Sequence, residues 1–94
     1  MKLKELLLNG LSFNEILRQF SLDQSDITIK DEEVILLNNK FLGKEILKEK
    51  VCIEGKNSNG VVNFFGTLHC NFVNQLAVFE PDFVDQKNEK PLLN

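Results

Sequence analysis

Three side chains could support nucleophilic or metal chemistry: Cys52, His69 and Cys70. His69 and Cys70 are neighbours, a pairing that suggests a thiol–imidazole dyad. On a strand, however, successive side chains point to opposite faces, so the two cannot share a proton. No C-x-x-C spacing is present, and three scattered ligands fall short of the four that a structural zinc site uses. If the loop between the flanking strands turns at Asn59-Gly60, Cys52 lies opposite Thr67; a four-residue loop places it opposite Phe65. In either register Cys70 stands several residues further up the strand at ~3.3 Å each, beyond disulfide reach. The expectation is a core thiol at Cys70, an ordinary one at Cys52, and no metal or cofactor. Asp23, Asp26, Asp31, Glu32 and Glu33 are numerous enough for acid–base work, but they form a charge run of the kind that solvates a connector. No phosphate loop, G-x-S-x-G or H-E-x-x-H pattern occurs, so the sequence does not point to an enzyme.

Binding is the remaining chemistry. An acidic segment can steer a basic partner, which singles out Asp31, Glu32 and Glu33. A large aromatic on the solvent side of a strand can anchor an interface, which singles out Phe65, with His69 on the same face. These five residues are the expected partner-binding set.

The tract Leu-Leu-Leu-Asn-Gly-Leu-Ser-Phe-Asn-Glu-Ile-Leu-Arg-Gln-Phe-Ser-Leu-Asp, residues 6 to 23, resembles the opening of helix-turn-helix proteins, including small antitoxin-like domains. That resemblance implies a DNA-binding regulator with a recognition helix starting near Ser21 to Ser25. The following residues depart from it. They supply Asp23 and Asp26, then β-branched Ile27-Thr28-Ile29, then Asp31-Glu32-Glu33, where base-reading Arg, Lys, Asn or Gln would be needed.

The elements that would position these residues follow from periodicity. Leu3, Leu6, Leu7, Ile16, Leu17 and Phe20 recur at helical spacing and predict helices over 2–9 and 13–20. Gly10 is expected as a left-handed C′ residue. Ser12 and Glu15 form an S-x-x-E capping box, with Leu11 and Ile16 as its hydrophobic staple. Residues 21 to 33 read as an acidic connector with a β-prone run at Ile27 to Ile29. Val34 to Leu37 reads as an apolar run ended by an Asn38-Asn39 turn; Phe41 to Lys50 fits either a strand running out of a hairpin or a helical turn carrying Ile46 and Leu47, of which strand is the reading taken. From Lys50 to Phe72 a hairpin is predicted, with Val62, Phe64, Gly66, Leu68, Cys70 and Phe72 on the buried face and Phe65 and His69 on the other. Gly66 suggests a bulge or bend. Leu76 to Phe79 forms a further strand that Pro81 stops. The expected fold is α+β: an N-terminal two-helix hairpin packed on a small antiparallel sheet of four or five strands, one domain over 1–83 with a polar tail over 84–94.

Composition sets the outer bounds. With 94 residues, 43% apolar and eight Phe, the chain can build one core. The net charge of −3, with Arg18 the sole arginine among eleven basic residues, disfavours nucleic acid as a partner. No segment approaches the ~20 apolar residues of a spanning helix, and the apolar run after Glu5 is too short for a secretory signal. The expectation is a small, acidic, cytoplasmic, non-catalytic protein that binds another protein as an inhibitor, immunity-type factor or assembly adaptor.

Overall fold

The computed structural model describes residues 3 to 88. Two short helices, α1 (Leu3–Leu8) and α2 (Leu11–Gln19), precede a four-stranded antiparallel sheet in the order β1-β2-β3-β4. The strands are β1 (Ile27–Ile29), β2 (Ile46–Asn57), β3 (Gly60–Asn71) and β4 (Leu76–Asn88), and a third helix, α3 (Glu32–Phe41), connects β1 to β2. The architecture is α+β, as the periodicity implies. No described helix is long and apolar enough to cross a membrane.

The elbow between α1 and α2 is built differently from the sequence reading. Gly10 is extended (φ −84, ψ 141) rather than left-handed, and α2 starts at Leu11, so Ser12 lies inside the helix and caps nothing. Leu11 is largely exposed and no staple forms. Asn14 replaces the expected box. Its side-chain N–H₂ donates to the carbonyls of Leu8 and Gly10, both at 2.8 Å, and its oxygen accepts from Gln24 Nε2. One amide thus closes the end of α1, whose final carbonyls lack helical partners. At the other end of α2, Ser21 adopts a left-handed conformation (φ 54). The Ser21 N–H then bonds to the Arg18 carbonyl and the Leu22 N–H to that of Leu17. This is a Schellman closure, with buried Leu22 and Leu17 making its apolar contact.

Residues 34 to 39 are helical, not a strand and turn. Their contiguous apolar run matches a strand locally, but the flanks carry helix signals. Asp31, Glu32 and Glu33 sit where the positive end of the helix dipole favours acids, and Lys40 where the negative end favours a base. Gly43 (φ 65) is the left-handed C′ residue, its N–H bonded to the Lys40 carbonyl. Residues 46 to 50 are strand, as expected; 41 to 45 are helix end and loop.

The core lies between the helices and one sheet face. Phe13 meets Phe64 and Phe79 edge-to-face at 6.3 and 6.0 Å, and Phe20 meets Phe64 at 5.2 Å. Val62, Phe64, Leu68 and Cys70 of β3 are buried there with Leu47, Val51 and Ile53 of β2, on the predicted face. The β2–β3 hairpin turns at Ser58-Asn59, pairing Asn57 with Gly60 and Cys52 with Phe65. That is the second of the two registers that the sequence allows. Asn57 explains the turn. Its side-chain oxygen accepts from the Asn59 and Gly60 N–H groups, and its Nδ2 donates to the Phe20 carbonyl at 2.7 Å, tying the hairpin to α2.

β4 does not stop at Pro81. It continues through Asn88, with a bulge opposite Phe65/Gly66. Proline is tolerated because β4 is an edge strand. Residues 84 to 88 therefore belong to the sheet, and the rest of the expected tail lies outside the described residues.

Candidate functional site

The sheet face away from the core carries the candidate site, and the bulge shapes it. From Leu76 to Pro81 the β4 register pairs His69 with Val78 and Thr67 with Glu80; beyond the bulge Phe65 pairs with Phe83. Were Asp82 paired opposite Phe65 in an unbroken ladder, strict alternation would turn Phe83 toward the core. The bulge reverses that, a known use of such irregularities. Phe83 emerges beside Phe65, and the rings stack at 4.6 Å with 18° between planes. Phe83 remains 59% exposed. Gly66 permits the bulge, since a Cβ there would overlap the Glu80 carbonyl oxygen. The sequence reading anticipated an irregularity at Gly66 but missed Phe83, because it ended the strand at Pro81, whereas β4 runs on through Asn88.

An open cavity of about 720 Å³ adjoins the aromatic pair where β1 passes into α3; Phe65, Asp31, Val34, Cys52, Lys50 and Asp82 contribute to its walls. Asp31 occupies a left-handed position (φ 60) before α3, which keeps its carboxylate beside the cavity instead of inside the helix. Lys50 and Asp82 form an exposed 2.7 Å ion pair across it, and Lys30 approaches Glu54 at 3.6 Å. Such surface pairs contribute ~0–1 kcal/mol each, so they shape the rim more than they hold the fold.

The five residues expected to bind a partner are only partly assembled. Phe65 and Asp31 share the cavity. His69 lies further along β3, near exposed Ile46, Leu76 and Val78, with Nε2 at 3.3 Å from a Glu80 carboxylate oxygen. Glu33 is exposed on α3. Glu32 supports the fold instead. Its Oε1 accepts from the Lys4 backbone N–H at 3.1 Å, an end-of-helix donor with no partner within α1.

The thiols offer little reactivity. Cys70 is buried, and that burial raises its pKa. Burial also raises that of Cys52, partly opposed by nearby Lys30 and reinforced by Glu54. Both cysteines are free, and the Cys52 thiol approaches Asn63 Oδ1 at 3.7 Å. Among the described residues no three His, Cys, Asp or Glu side chains are grouped to hold a metal ion. After α2 the chain forms a 3₁₀ turn (Gln24–Asp26) and then β1, so a strand stands where a recognition helix would. Comparisons with protein-family models, curated proteins and solved structures find no match.

Proposed function

We propose that this protein is a non-catalytic binding factor, of the inhibitor, immunity or assembly-adaptor kind, that docks the open face of its sheet on a protein partner. The observation that carries this reading is the stacked Phe65–Phe83 pair on the sheet face opposite the helices. An exposed ring, Phe83, backed by the half-buried ring of Phe65 is the kind of aromatic anchor through which interfaces concentrate their affinity. Asp31 and Asp82 stand on the rim beside Lys30 and Lys50, so the local charges are mixed, and it is the chain's net charge of −3 that favours a basic complementary surface. The acidic balance also speaks against nucleic acid as the occupant.

The test compares the intact chain with Phe83→Ala and Asp31→Asn variants as bait in lysate of the native host, with nuclease present. The reading expects a stoichiometric protein bound by wild type and retained at least tenfold less by Phe83→Ala. Asp31→Asn should weaken capture chiefly at low salt. Equal retention by all three baits, or a catch that nuclease abolishes, overturns it.

A further inference from the structure

We propose that α3 is a self-association element through which two copies of the chain pair antiparallel. α3 presents apolar residues on two sides. Ile35 and Leu36 pack half-buried against the core, as expected of a helix lying on a sheet. Val34, Leu37 and Phe41 are 56%, 67% and 89% exposed, and no residue of the helix is fully buried. Their spacing of three and then four residues puts all three on one stripe, since a turn takes 3.6 residues. Leu42, just past the helix, is also exposed. A helix bound only for solvent has no use for such a stripe; an apolar strip of this kind marks a contact.

The charges flanking the stripe identify the second copy as its occupant. Glu33 and Lys40 lie seven residues apart, hence on the same flank of the stripe, and neither takes part in the ion pairs seen among the described residues. When two identical helices meet antiparallel across a two-fold axis, each flank faces the same flank of its mate. An axis passing beside Leu37 therefore sets Glu33 against Lys40 of the second copy, and Lys40 against its Glu33. Val34 meets Phe41 in the same exchange, and Leu37 meets Leu37. The acidic end at Asp31 to Glu33 faces the basic end at Lys40 and Lys44, with the helix dipoles opposed. A parallel pairing would bring the acidic ends together. Phe83 itself lies off this stripe, while Val34 and Asp31 also border the cavity beside Phe65, so the two surfaces adjoin there.

A contact built on three exposed apolar side chains of one short helix belongs with weak, transient interfaces, so the dimer is expected to form between about micromolar and millimolar concentration. Sedimentation equilibrium on the full chain tests this. Wild type should pass from monomer to dimer as concentration rises, and Leu37→Asp should weaken association at least tenfold with an unchanged circular-dichroism spectrum. Glu33→Lys and Lys40→Glu should each self-associate about tenfold more weakly, because each puts like charges opposite one another. Mixed in equal amounts, these two should recover wild-type association, since the mixed pair matches charges on both sides. Each variant carries the same helix-end disturbance alone and in the mixture, so the recovery reports pairing and not folding. A chain monomeric throughout that range, a mixture no stronger than its components, or a dimer abolished by Phe83→Ala and untouched by Leu37→Asp overturns the proposal.

Discussion

Gly66→Ala should damage fold and site together. A Cβ at position 66 would overlap the Glu80 carbonyl oxygen and stand 2.9 Å from both the Glu80 carbonyl carbon and the Phe79 ring. A flexible side chain could rotate away; a strand backbone can only move as a unit. Inserting a methyl into a packed region costs about 1–3 kcal/mol, and a rigid obstacle places this case near 3 kcal/mol. A domain of 94 residues has ~5–14 kcal/mol of stability. The loss should lower the melting temperature by about 12–24 °C, taking ~4–8 °C per kcal/mol for a domain of this size. Gly43→Ala is the control. Gly43 has a left-handed φ of 65° but open space around it, so the substitution carries only the backbone term of ~1 kcal/mol. Urea and thermal unfolding by circular dichroism, run on both variants, give the comparison. If Gly66→Ala loses no more than Gly43→Ala, the close approach of β4 is not what fixes this position, and the account of the bulge fails.

Phe83→Ala should change stability by under ~1 kcal/mol, because the ring is more than half exposed, while weakening partner capture; a large stability loss would make the ring structural instead. Ser21→Gly should stabilise by about 0.5–1 kcal/mol, since Ser21 holds a left-handed conformation that glycine adopts without a Cβ clash, and an unchanged urea midpoint would count against the Schellman closure. Glu32→Ala removes the acceptor of the Lys4 N–H and should destabilise by about 1 kcal/mol, with faster amide exchange at Lys4 as the local signature. Both thiols have native pKa values raised by burial, so the unfolded chain releases their protons first. Their contribution is therefore constant below the ordinary thiol range and falls as pH rises through it. Unfolding measured across that range should show a decline that Cys52→Ala and Cys70→Ala make shallower, and native alkylation near neutral pH should be much slower than in urea.

The sheet core was legible because its signal is redundant. Val62, Phe64, Leu68 and Cys70 fall on one face of β3 by strict alternation, and all four are buried there. Register was not fixed by that pattern alone, since moving the turn from Asn59-Gly60 to Ser58-Asn59 shifts the pairing of Cys52 by two residues and preserves the buried face. The Asn57 side chain decides it by hydrogen bonding within the turn. The departures at the helices share one cause. Local motifs compete, and tertiary contacts choose among them. Gly10 and Gly43 both suit a C′ position, yet only Gly43 is left-handed. Ser12 and Glu15 match a capping box, but Asn14 reaches two carbonyls at once and the helix starts two residues early, at Leu11. In α3 the contiguous Val-Ile-Leu-Leu run conceals a helix whose flanking charges and Gly43 announce it.

The site was half legible, for a reason internal to β sheets. Phe65 follows from alternation along an uninterrupted strand. Phe83 does not, because its orientation depends on an extra residue opposite Phe65/Gly66. Nothing between Leu76 and Phe83 signals that insertion except the Pro81 and Gly66 pair, one breaking the ladder donor and the other clearing space for the Glu80 carbonyl. Read together across the strands, rather than each as a stop or bend in its own strand, they place a bulge where β4 changes face. It follows that, with Asp82 in the chain, the bulge is what sets Phe83 opposite Phe65. Replacing Pro81 with Val should leave the rings stacked, since Gly66 still admits the Glu80 carbonyl. Deleting Asp82 should remove the shift and leave Phe83 directly after Pro81, opposite Phe65 in a regular ladder, so the rings stay outward and partner capture survives while the β2–β3 hairpin persists in amide exchange. Capture abolished by the deletion with the hairpin intact would separate binding from the ring pair and place it at the bulge.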